Sequence, residues 1–203
     1  MKVRMMMTRW SVLVTVMLGA LGALGALAAP AAAGGEVALS AGVLPSGSVD
    51  VMQAGQSASG DMDTGFLLTG AAGKWVTPQL RVAAAVALVP SARPSGLPEE
   101  AASPRLLSPG LRVDGLRPLA ASGGLYAFAA VGYSRLSMPG DDAAGNGVLV
   151  AGGFGGRFML SPELDGFVEA GYLWATHRVS QDGNDPRLDV DYFLLAAGLA
   201  LDL

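Results

Sequence analysis

His177 is the only histidine of the chain, three positions before Ser180 and five before Asp182. A histidine base, a serine nucleophile and an orienting aspartate together make a hydrolase. The spacing argues against that chemistry. On an extended strand, a separation of three puts His177 and Ser180 on opposite faces, out of the hydrogen-bond reach that a base and its nucleophile need. A second candidate overlaps the first: "DGNDPRLDVD" (182–191) spaces its oxygen-bearing side chains as a calcium loop does. An EF-hand loop requires Gly at its sixth position and Glu at its twelfth. Here Arg187 and Phe193 stand in those places, so the motif fails. "GGFGG" (152–156) lacks the phosphate-loop pattern, and Gly within a strand marks close packing or a bend. No catalytic, cofactor-binding or metal-ligating set is assigned.

The remaining charges pose a different question. "RFMLSPELDGFVEAGYLWATHRV" (157–179) is apolar enough for a core, yet Arg157 and Glu169 stand equidistant from Glu163. A turn centred on Glu163 would place the two directly cross-strand, a pairing worth about 0.2–1 kcal/mol. An interior charge left unpaired would cost far more, so a network is expected. Its expected members are Lys74, Arg81, Arg112, Asp114, Arg157, Glu169 and Asp202.

Such a network needs elements with two unlike faces. Eight segments supply them: 36–44, 64–76, 79–89, 105–117, 124–136, 147–160, 165–179 and 190–203. Period-two alternation, the mark of strands, is clearest in the third, sixth, seventh and eighth. In the third, Leu80, Val82, Ala84, Val86 and Leu88 oppose Arg81, Ala83, Ala85 and Ala87. In the seventh, Val168, Ala170, Tyr172 and Trp174 oppose Glu169, Gly171, Ala175 and His177. The connections run long, short, long, short, long, short, long, and those at 45–63, 90–104, 137–146 and 180–189 are the long polar ones. That rhythm belongs to an up-and-down antiparallel barrel whose two rims face different compartments.

Composition fits an exported chain. Lys2, Arg4 and Arg9 precede an uninterrupted apolar run, which ends in Ala31-Ala32-Ala33. This reads as a signal peptide over 1–33, cut near Ala33, ahead of one domain over 34–203. An uncleaved anchor is the alternative, because the run is long enough to span. The leader holds three of the 13 basic residues and none of the 17 acids. Ten bases against 17 acids remain, a net charge of −7 that argues against nucleic acid as a partner. The absence of cysteine closes the disulfide-stapled and lipid-anchored routes.

In lipid every backbone group must be paired, which only helices and closed barrels achieve. The fold expected is therefore all-β: an eight-stranded antiparallel up-and-down transmembrane barrel, apolar outside. Its inside, too narrow for a pore, is filled by side chains. Trp75 at one rim, with Tyr133, Tyr172 and Trp174 toward the other, would form the aromatic girdles.

"TPQLRVAAAVAL" and "SPELDGFVEAGYLWA" resemble the turn-plus-strand units of small eight-stranded outer-membrane barrels of the OmpA/OmpX-like and opacity-type kind. The final "YFLLAAGLALDL" is similar to their closing strand, although it ends in Leu203 where an aromatic is usual. The resemblance implies the outer membrane, partnership with its lipid and lipopolysaccharide, and folding by the barrel-assembly machinery. It implies no catalytic residue and no cofactor.

The expected role is structural or interactive, through loops 45–63 and 90–104, without an open pore. The alternatives are a lipid A-modifying enzyme using His177, a soluble secreted ligand-binding barrel, and a narrow channel. The presumed loops carry Asp50, Asp61, Asp63, Glu99, Glu100, Asp141, Asp142, Asp182, Asp185 and Asp189 against Arg93 and Arg187. Such an acidic rim suits a surface partner, or divalent cations bridging to lipopolysaccharide phosphates.

Overall fold

A computed structural model describes residues 34–53, 55–95, 104–120, 122–137, 144–179 and 186–203. The expected leader, 1–33, lies outside the described residues. Ten strands account for nearly all of them. They are β1 (Gly35–Leu44), β2 (Gly47–Gln53), β3 (Gln56–Met62), β4 (Gly65–Thr77), β5 (Leu80–Val89), β6 (Arg105–Ala120), β7 (Gly123–Ser137), β8 (Ala144–Ser161), β9 (Leu164–Val179) and β10 (Arg187–Asp202). β1 and β4 to β10 pair antiparallel in sequence order, and β10 closes on β1 from Glu36↔Asp202 to Val43↔Leu195. The eight-stranded barrel is closed.

Alternation decides which face each side chain takes. On β5, Leu80, Val82, Ala84, Val86 and Leu88 point outward, whereas Arg81, Ala83 and Val89 are buried in the lumen. The same phase holds on β7 to β10, so the outside is a belt of exposed apolar side chains. Phe66, Leu111, Val131, Phe154 and Leu199 are each more than half exposed. Gly155 faces the lumen, where a Cβ would meet the Tyr126 ring at 2.5 Å. The smallness of "GGFGG" thus lets an aromatic ring fill the narrow interior.

The segment 45–63 corrects its reading as a polar loop: most of it is the hairpin β2–β3. Its pairing (Gly47↔Met62, Gln53↔Gln56) continues the register of β1–β4 (Gly35↔Lys74, Leu44↔Gly65) across the breaks at Pro45–Ser46 and Asp63–Thr64. Gly55, at φ 83°, takes the left-handed conformation that the tight turn demands. β2 also pairs with β10 from Arg187↔Met52 to Tyr192↔Gly47, shifted by one residue from the β1 register. Beyond the closed wall a strand needs no continuous apolar face, which is why polarity misled the sequence reading here.

Candidate functional site

The lumen gathers the buried charged side chains of the described residues, and it has two unlike halves. The half nearer the chain ends and the short turns holds an unbroken series of alternating charges. Arg157 on β8 binds Asp165 on β9 (Nε to Oδ2, 2.5 Å) and reaches Glu36 on β1 (Nη2 to Oε2, 2.6 Å). Glu36 also binds Arg81 on β5 at 2.9 Å, and Arg81 binds Asp114 on β6 at 2.8 Å. Arg112 binds Asp114 at 2.7 Å and pairs with Glu169 of β9 through both terminal nitrogens. The Tyr126 hydroxyl donates to Glu169 at 2.6 Å. Glu36, Arg81, Asp114 and Glu169 are all buried. The three arginines and the three most buried acids balance, as a low-dielectric interior requires. Two aromatic faces add cation–π contacts: Arg112 lies 4.5 Å from the Phe128 centroid and Arg157 5.4 Å from that of Trp75.

Five of the seven expected members take part fully: Arg81, Arg112, Asp114, Arg157 and Glu169. Asp202 is half exposed and lies 3.9 Å from Arg157, at the margin. Lys74 does not take part, because it sits on the outward face of β4. Its neighbour Trp75 is therefore inside, donating to Glu36 at 3.1 Å, instead of standing in a girdle. The irregular alternation of "TGFLLTGAAGKWV" hid that phase. The predicted Arg157–Glu169 pair is also corrected. The turn falls at Pro162–Glu163, with an irregularity between Met159 and Ser161, so Arg157 faces Phe167 and Glu169 faces Gly155. Glu169 finds its partner Arg112 across the lumen, and Arg157 divides its contacts between Glu36 across the lumen and Asp165 diagonally along the β8–β9 pair. Sequence reasoning missed Glu36, Asp165 and Tyr126. The alternation of "EVALSAGVL", with Glu36, Ala38 and Ser40 on one face, carried the signal for the first.

The other half of the lumen is apolar. Leu44, Val89, Leu106, Leu136, Leu173 and Val190 are all at most 3% exposed. Among the described residues it holds a buried side-chain pair, His177 Nε2 and Ser134 Oγ, 2.9 Å apart. Ser134 was not foreseen; Ser180 and Asp182 lie outside the described residues. His177 and Ser134 are 1% and 0% exposed, enclosed by the wall. The interior holds cavities of about 30 Å³ and 60 Å³, and a vestibule of about 200 Å³ opens at the turn end beside Arg157 and Asp165. A water takes about 30 Å³ of liquid, so the two inner spaces suit only a few water molecules.

Outside, Tyr133 and Tyr172 face outward and are 54% and 51% exposed, as a girdle requires, and Trp174 shares their face. Among the acidic residues, Asp63 accepts from Ser95 (2.8 Å) and pairs with Arg93 (3.6 Å), Asp189 accepts from Arg187 (3.0 Å), and Asp191 accepts from Ser48 (2.7 Å). Among the described residues no three acids or histidines converge on a metal position. Glu99, Glu100, Asp141, Asp142, Asp182 and Asp185 lie outside them.

No family model matches the chain, and no curated protein matches it. Solved structures do. Neisserial surface protein A is 18% identical with a TM-score of 0.53, over 83% of this chain and 97% of its own. The outer-membrane protein OprG from Pseudomonas aeruginosa is 14% identical with a TM-score of 0.52, over 84% of this chain and 96% of its own. At such identities the likeness speaks for the fold. The closed wall, the ionic plug and these two likenesses together show that the chain has the fold of the small eight-stranded outer-membrane barrels.

Proposed function

We propose that this chain sits in the outer membrane as a closed barrel and serves the envelope structurally or through its loop-end surface, without conducting. The observation that carries this is the continuous outward belt of exposed Leu, Val and Phe on a closed sheet. A soluble protein rarely leaves so large an apolar surface to water, which disfavours the secreted ligand-binding alternative. The cross-lumen ion pairs disfavour a channel, since a conducting path would have to pass between Arg157 and Glu36 and between Arg112 and Glu169. The His177–Ser134 pair faces the lumen instead of lipid, so a lipid acyl chain has no route to it in this conformation. The leader over 1–33 and handling by the barrel-assembly machinery belong to the same proposal.

The test is fractionation with heat-modifiable gel migration. The protein is expected in the outer-membrane fraction, running as a compact band until boiled. Recovery in buffer without detergent overturns the reading. Planar-bilayer recording is expected to show no stable conductance step, and a reproducible one would restore the channel.

A further inference from the structure

The outward face of β6–β10 carries an unbalanced row of arginines at the loop end, and we infer that it is a binding site for the phosphate groups of an outer-leaflet glycolipid. Four of the ten basic residues beyond the leader lie there: Arg105, Arg135, Arg178 and Arg187. Register fixes their neighbours. Arg135 of β7 stands opposite Asn146 of β8, Asn146 opposite Arg178 of β9, and Arg178 opposite Arg187 of β10. Arg105 lies diagonal to Arg135, since its own partner is Ser137 and Leu107 faces Arg135. Leu106, Leu136, Ser134, His177 and Val179 are buried on the opposite face, which turns all these guanidinium groups outward. With strands about 4.8 Å apart, Arg135 and Arg178 are about 10 Å apart across Asn146.

Three observations point to a phosphate-bearing lipid as the occupant. First, Arg178 and Arg187 are directly opposed like charges, a destabilising arrangement that Asp189 relieves on the Arg187 side only. Second, among the described residues no carboxylate pairs with Arg105, Arg135 or Arg178, and the only partner in the row is Asp189, which binds Arg187. Third, the row ends the apolar belt. Tyr133, Val131, Val148 and Val150, all outward and exposed, lie on the same two strands, and Tyr133 donates to Asn146 at 2.6 Å. An amphiphile whose chains lie along that belt would bring its phosphates to the arginines, which bind such groups bidentately. The row turns acidic at β10 and β2, where Asp189 and Asp50 face each other, so the site is one-sided.

The inference rests on the outer-membrane reading, and its test separates the two. Folded protein in zwitterionic detergent is titrated with phosphorylated lipopolysaccharide and with the same material after dephosphorylation. The expected result is about tenfold tighter binding of the phosphorylated form, a difference lost in the double variant Arg135→Gln/Arg178→Gln and kept in Arg117→Gln at the other rim. Heat-modifiable migration shows that each variant is folded. Equal binding of the two lipids, or full retention of the difference in the double variant, overturns the inference. Cell fractionation, run in parallel, decides the localisation regardless of that outcome.

Discussion

The two halves of the lumen solve one packing problem by different means. Toward the turns, three arginines and their acids cross the interior and tie β1 to β5 and β8, and β6 to β9. Toward the loops, leucines and valines fill the same width, and among the described residues the directional bonds there are few: Ser134 with His177, and Ser108 donating to the Tyr133 carbonyl. An apolar filling tolerates exchange of one shape for a similar one. An ionic filling does not, because a charge stranded by loss of its partner keeps its desolvation cost. The turn-end half should therefore specify the arrangement of strands, and the loop-end half should only stabilise it.

Glu36→Ala should break the comparison most visibly. It leaves Arg81 with Asp114 alone and Arg157 with Asp165 at the margin of the series, and it takes an acceptor from Trp75. A loss of about 3–5 kcal/mol is expected, read from urea unfolding in detergent. Adding Arg157→Met should recover part of it; strict additivity would show that the series does not act as a unit. Leu44→Ala, at a fully buried site of the apolar half, should cost about 2–4 kcal/mol by leaving a cavity. Its effect should add to that of Glu36→Ala, since the sites share no partner. Ser134→Ala leaves the His177 Nε2 unpaired and should cost about 1 kcal/mol, with the folded gel band intact. A larger loss there would mean that the apolar half also depends on a polar anchor.

The sequence showed the strands because a closed wall with an apolar outside and a filled lumen imposes alternation on each of them. The bounds of the seventh segment (165–179) differ from those of β9 by one residue at one end. Where alternation was weak, phase was lost: Lys74 and Trp75 exchanged faces. The partners within the lumen were hidden for another reason. Cross-lumen pairs such as Arg112–Glu169 depend on barrel closure and on the inclination of the strands, neither of which a linear chain displays. The arginine row escaped notice because its members sit near the ends of separate strands, and only register brings them into line.

Eight of the ten ladders join strands that follow one another along the chain or flank a single hairpin, and the two that β10 makes with β1 and β2 join its extremes. Neighbouring barrel strands meet through connections that run from two-residue turns such as Pro78–Gln79 to the segment 45–64, whereas Glu36 and Asp202 meet through most of the domain. Loop closure over that longer stretch costs about 2 kcal/mol more entropy than the longest of those connections. Hairpins can assemble early and locally, so zipping the terminal seam is the kinetically demanding event. Until it happens, both terminal strands expose unsatisfied edges, and the open form is the one in which the chain can pair wrongly.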